Sequence, residues 1–241
     1  AMSDPEFARA IAAHGRVVLA AEVDRSRRNG IVGARILPPN ETLRAATRHW
    51  GPTEAERDAD NVVRKIYLGT EQKPPLAWLA AALAGRRTEQ AASNLPADGW
   101  IRYYGPGGTL PHVSYSQVTN QPAGFFRGKT VFVGGKPKTR FVAEEVDEFL
   151  TPWRLHGQPQ ISGLELTATE FLNLSRGDYL RRVPSGMEIA ALALFGLLAG
   201  AGLALSRPAW AMGLATAGVL MTGIVAFALF FRCNLWLNWA V

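Results

Sequence analysis

Two long apolar runs constrain this chain more than anything else in it. Residues 187–205 hold a single carboxylate, Glu188, and residues 209–231 hold no charge at all. At about 1.5 Å of rise per helical residue, each run is long enough to cross a hydrocarbon core of roughly 30 Å. Only Ser206-Arg207-Pro208 separates them, so they are expected to form an antiparallel transmembrane hairpin. The competing arrangement, a hairpin buried in a soluble core, is disfavoured because buried helices seldom run this long without a polar face. Charged residues make up 19% of the whole chain, below the ~25% of soluble domains. That deficit is local, since residues 187–241 contain only Glu188, Arg207 and Arg232 as charges. The chain therefore reads as a soluble domain, residues 1–186, followed by a membrane tail. A fully soluble enzyme, a disordered regulator and a purely polytopic transporter are excluded.

Within the tail, Gly196 and Gly200 form a G-x-x-x-G pair and Gly213 and Ala217 a small-x-x-x-small pair, the patterns that allow close helix approach. Residues 232–241 read as an aromatic interfacial loop, with Trp236 and Trp239 at headgroup level, and the start of a third span. Arg176, Arg181, Arg182 and Arg232 flank one side of the hairpin and Arg207 the other. Charge counting alone would place the soluble domain in the cytoplasm, although long domains cross membranes largely regardless of charge. The net charge of +6 is spread thinly, in pairs such as Arg27-Arg28 and Arg86-Arg87, with no stripe or module of the kind that binds nucleic acid. The lone cysteine, Cys233, gives the soluble domain neither a disulfide nor a thiolate.

Helical and strand-like runs alternate through residues 1–186. Helices are expected at 5–14, with Asp4 as N-cap and Gly15 as stop, at 42–50, at 76–84 and at 163–174. Strands are expected at 16–23, 61–68, 100–104 and 130–133. The alternation predicts an α/β domain with a mostly parallel sheet and flanking helices.

The search for catalytic chemistry returns little. His14, His49, His112 and His156 have no ligand partner at metal-binding spacing, and there is no G-x-S-x-G, H-E-x-x-H or C-x-x-C. No catalytic residue, metal or cofactor is expected. Residues 124–130 (GFFRGKT) resemble a phosphate loop but are one residue short and precede a strand instead of following it. Tyr104-Gly105-Pro106-Gly107-Gly108-Thr109 either offers backbone amides to an anion or is simply a compact turn. Gly134-Gly135-Lys136-Pro137-Lys138 follows a predicted strand, where α/β sheets place ligands, and reads either as an anion contact or as a solvated loop.

The ordered run Arg102-Tyr103-Tyr104-Gly105-Pro106-Gly107-Gly108-Thr109, then 125–134 (FFRGKTVFVG), Asp147-Glu148-Phe149-Leu150-Thr151-Pro152 and 162–168 (SGLELTA) resembles the type-2 CHASE domain. This family comprises sensory extracellular domains associated with cyclases and histidine kinases. In it, the block closes on a basic stretch and a proline, as in Leu180-Arg181-Arg182-Val183-Pro184, followed at once by membrane helices. Residues 4–23 also resemble the family's central helix–strand unit. Two departures stand out. The family's first strand and preceding membrane helix have no counterpart, which reads as truncation of a longer protein, and Thr167 stands where the family usually has histidine.

The resemblance implies an extracytoplasmic input module in a multi-pass protein of the cell (inner) membrane. Its expected partners are the lipid bilayer, an unidentified extracytoplasmic ligand and a second copy of itself in a homodimer, with no nucleic acid. The missing upstream helix undermines charge counting, so the resemblance decides the expected orientation. A cyclase or kinase output domain is implied outside the 241 residues. The candidate motif residues are Gly105, Gly107, Gly134, Gly135, Asp147, Thr151, Pro152, Gly163 and Glu165. Two roles stay open for them. Asp147 caps a turn beside Gly134-Gly135 while Thr151-Pro152 fixes the chain's exit, or else Asp147 and Glu165 line a crevice at the sheet edge and read a ligand. A membrane-anchored extracytoplasmic enzyme and a dimerising scaffold are the competing functional readings.

Overall fold

A computed structural model of the chain describes residues 4–28, 31–70, 72–85, 99–135, 147–155, 160–205 and 207–236. Arg86-Arg87, Lys136, Lys138, His156, Trp239 and the expected start of a third span after residue 236 lie outside them. The chain divides into two compact units. One comprises residues 1–97 and 101–177, the other residues 98–100 and 178–241.

The first unit opens with α1 (Asp4–His14), stopped by Gly15 at φ 71, whose amide bonds back to the Ile11 carbonyl. The chain continues into β1 (Leu19–Arg28), β2 (Ile31–Leu37), α2 (Glu41–Ala46) and β3 (Trp50–Pro52). Asn40 caps α2 by accepting the Thr42 amide, and its own amide group donates to Asp4 at 3.2 Å. α3 (Leu76–Leu83) is buried around most of its circumference, as an apolar helix without a polar face must be. Arg16 donates to the Leu83 carbonyl at 2.8 Å, a cation on the negative end of α3. After β5 (Glu148–Leu150) and β6 (Gln160–Ser162) comes α4 (Gly163–Arg176), capped by Ser162 and stopped by Gly177 at φ 68. The core joins α3 to α4 through Ala77, Trp78, Ala80, Ala81, Phe171 and Leu174, with Val18 and Phe132 at its margin.

The expected mostly parallel sheet is not what forms. Among the described residues the first unit has a three-stranded sheet, β2-β1-β3, and the hairpin β5-β6. Only β1 and β3 run parallel there; β1–β2 and β5–β6 are antiparallel. The physical reason lies in α4. Arg102 gives its amide to the Asn173 side-chain oxygen at 2.7 Å, and its carbonyl receives the Asn173 side-chain amide at 3.0 Å. Tyr67 gives its amide to the Glu170 carboxyl at 3.1 Å. Backbone groups that would have sought a neighbouring strand are satisfied by a helix instead. The expected strands 61–68 and 100–104 are thereby reduced, the first to bridges such as Val62–Leu150 and the second to residues 99–100. Residues 130–133 join no ladder among the described residues. Phe132 stands edge-on to Phe171 at 5.4 Å, and Val131 and Val133 face solvent.

In the second unit, β4 (Gly99–Trp100) pairs with β7 (Leu180–Arg182), which also pairs in parallel with β8 (Leu235–Trp236). Between β7 and β8 run α5 (Ser185–Leu205) and α6 (Pro208–Cys233), two helices long and apolar enough to cross a membrane. Both are almost wholly exposed, as helices solvated by lipid chains are. Thr216 and Thr222 bond back to the carbonyls of Met212 and Gly218, four residues earlier. The expected close approach at Gly196, Gly200 and Gly213 is absent: a Cβ at any of the three would meet nothing within 4 Å. The helices instead approach where the tip of the Phe195 ring lies 4.0 Å from the Cβ position of Gly218. Asn234, left-handed at φ 53, ends α6 and turns the chain into β8.

Glu170 supplies a test of this architecture. It is 3% exposed, and burial raises its carboxyl from 4.5 to about 8, against the smaller lowering by the Tyr67 amide. The unfolded chain sheds this proton near 4.5, the folded chain only near 8. Its contribution to stability is therefore complete below about pH 4.5 and lost as pH rises to about 8. Glu170→Gln keeps an acceptor for Tyr67 and removes the titration. In denaturant unfolding, the variant should gain on the wild type across this window by up to roughly 1.4 kcal/mol per pH unit. A difference that does not change with pH refutes the assignment.

Candidate functional site

Most of the motif residues gather at the amino end of α4. Ser162-Gly163-Leu164-Glu165 has the S-x-x-E spacing of a helix capping box. Ser162 plays its part, accepting the Glu165 amide at 3.3 Å. The Glu165 carboxylate turns outward and takes the amides of Gly108 at 2.9 and 3.0 Å and of Leu110 at 3.2 Å. Two amides of the 104–110 loop, one candidate for an external anion, are thus occupied by an anion of the chain itself. Gly107 packs so closely on β6 that a Cβ would run into the Gln160 carbonyl oxygen. Gly105 sits against the Thr109 side chain, whose hydroxyl donates to the Pro106 carbonyl.

Asp147 closes the other side of the helix end. Its carboxylate lies where a Cβ on Gly163 would be, so glycine is the residue that lets carboxylate and helix start meet. The Gly163 amide also donates to the Asp147 backbone carbonyl at 3.2 Å. Burial raises the Asp147 carboxyl above its usual range, partly offset by the Gly163 amide. The position suits an acid held at the positive end of a helix. Gly134 reaches the same place, with its Cβ position 2.9 Å from a Leu164 methyl, whereas Gly135 has open space around it.

Thr151 and Pro152 stand beyond the far end of β5 and do not join this cluster. Thr151 is buried and its hydroxyl accepts the Trp153 amide, opening a short 3₁₀ turn at Pro152–Leu155. Just before them, the Leu150 carbonyl accepts the Val63 amide at 2.9 Å. Thr167, the departure from the family's usual histidine, donates to the Gly163 carbonyl at 2.9 Å and lies 3.2 Å from the Thr53 hydroxyl.

Sequence reasoning missed a second polar group. Arg64 forks across Asp60 with two bonds of 2.8 Å and reaches Asp58 at 2.9 Å. This pairing holds the Asp60 carboxyl well below, and the Arg64 guanidinium above, their usual ranges. The alternation of acidic residues before Arg64 in Asp58-Ala59-Asp60 was the available signal. The group closes a turn in which left-handed Asn61 donates to the Asp58 carbonyl. Nearby, Tyr103 donates to the Val63 carbonyl at 2.8 Å, and burial, aided by the Glu170 charge, raises its phenol far above the usual range. Among the described residues, no group of three or more His, Cys, Asp or Glu forms a metal-binding cluster.

The arrangement can hold the 104–110 loop to α4, and Glu165 is the clamp. Glu165→Ala should speed hydrogen exchange at Gly108 and Leu110 by about tenfold or more and lower stability by about 1–3 kcal/mol. Loss of signalling with those exchange rates unchanged would instead make Glu165 a ligand-reading group.

No curated protein and no solved structure matches the chain. Comparison with protein families matches residues 1–202 to the CHASE2 domain, a span that takes in every motif residue of the site described above and continues into α5. By that match the chain belongs to the CHASE2 family of sensory domains.

Proposed function

We propose that residues 1–186 are the extracytoplasmic input region of a membrane receptor, and that α5 and α6 pass its state to a cytoplasmic cyclase or kinase. The observation that carries this reading is the extent of the family match, which runs from the α/β domain into the first apolar helix. CHASE2 domains are typically extracytoplasmic parts of signalling receptors. Only residues 177–184 lie between the end of α4 and the start of α5, and β7 stiffens that connection by pairing on both edges. A displacement of α4 then reaches α5 through a tether too short and too structured to absorb it. The bilayer and a second copy of the receptor are the partners of this arrangement.

Two measurements test it. A phosphatase reporter that is active only outside the cytoplasm, fused at Arg207, should be inactive; activity there reverses the placement. In the whole receptor, a flexible Gly/Ser insertion between Val183 and Pro184 should abolish the response to input while leaving the protein in the membrane. Unchanged signalling refutes the coupling.

A further inference from the structure

A cleft of about 200 Å³ in the first unit lies between the entry to β3 and the first turn of α3. Arg48, His49 and Lys73 line it together with Trp50, Trp78 and Leu79. No carboxylate is among its described lining residues, and neither Arg48 nor Lys73 forms an ion pair with any other described residue. The Lys73 ammonium sits 4.2 Å above the Trp50 ring, a contact that uses none of its three N–H donors. α3 begins beside the cleft with no side-chain cap on its first amides, adding the positive end of a helix to the same place.

Positive charge without a counter-ion among the described residues, next to aromatic and aliphatic walls, suits a ligand that has both an anionic and an apolar part. The volume is below the roughly 300–1,000 Å³ of sites for drug-sized molecules. We propose that this cleft is a binding site for a small planar organic carboxylate, its acid group met by Arg48 and Lys73 and its body against Trp50 and Trp78. The proposal deepens the sensory reading by naming a ligand class, and rests on it for physiological meaning. Trp78 also belongs to the core shared with Phe171 and Leu174 of α4, so an occupant of the cleft meets α4 only through this shared core side chain.

The test uses the full chain in nanodiscs and calorimetric titration at constant ionic strength, with nicotinate, nicotinamide and inorganic phosphate as probes. Nicotinate should bind saturably, the neutral amide should not bind measurably, and phosphate should bind about tenfold more weakly or worse, since it cannot use the apolar walls. R48Q combined with K73Q should weaken nicotinate by about tenfold or more at an unchanged melting temperature. R48Q alone, on an exposed side chain, provides the same comparison should the double variant fail to fold. Equal binding of nicotinamide, equal binding of phosphate, or nicotinate binding untouched by either variant overturns the proposal. Because binding is read on the chain itself, a negative result leaves the reporter and insertion tests of the receptor standing, and their failure leaves this one intact.

Discussion

A backbone amide drawn away from water needs a partner, and in this domain three side chains of α4 serve amides that range from buried to exposed. Glu165 takes the amides of Gly108 and Leu110, Glu170 that of Tyr67, and Asn173 both backbone groups of Arg102. The three residues are spaced so that successive turns of one helix serve three separate stretches of chain. The apolar contact of α3 with α4 supplies the core, yet it does not by itself say where those stretches run. Their positions are set by hydrogen bonds that cost free energy when left unmade. Asn173 is fully buried, and its side-chain amide also reaches the Tyr104 hydroxyl at 3.2 Å, so the support is continuous through the 102–104 segment.

That arrangement explains which elements were legible in the sequence. The helices α1, α3 and α4 were readable because their signals are local: Asp4 and Gly15, the apolar run after Pro75, and Ser162 with Gly177. The two apolar helices followed from length and composition alone. The strand-like runs 61–68, 100–104 and 130–133 have the right residues for strands, but they form only single bridges or a two-residue pairing, and much of their surroundings is helix side chains or core rings. A one-dimensional pattern holds no information about such a distant partner. β2 went unrecognised although Asn29-Gly30 lies between two paired strands, with Arg28 opposite Ile31; that dipeptide is a strong hairpin signal.

The candidate site was legible as residues and not as roles. The motif order placed Asp147, Gly163, Glu165 and Gly107 on one list, and the fold brings them to one helix end. The sequence left open whether Glu165 meets a ligand or the chain itself, because the answer depends on the 104–110 loop folding back over α4. Thr151 and Pro152 fell on the same list by adjacency in sequence and occupy a different place.

The short ladder between β7 and β8 has a mechanical side. The Arg181 amide bonds the Asn234 carbonyl at 2.8 Å and the Val183 amide bonds the Trp236 carbonyl at 3.4 Å, while Trp100 lies against Trp236 at 4.2 Å. The open ends of the α5–α6 hairpin are therefore tied to each other as well as joined at the turn. A piston stroke of α5 along α6 would shear both bonds, whereas tilting or rotating the two helices as one body leaves them intact. A closed loop of this kind favours levers over pistons.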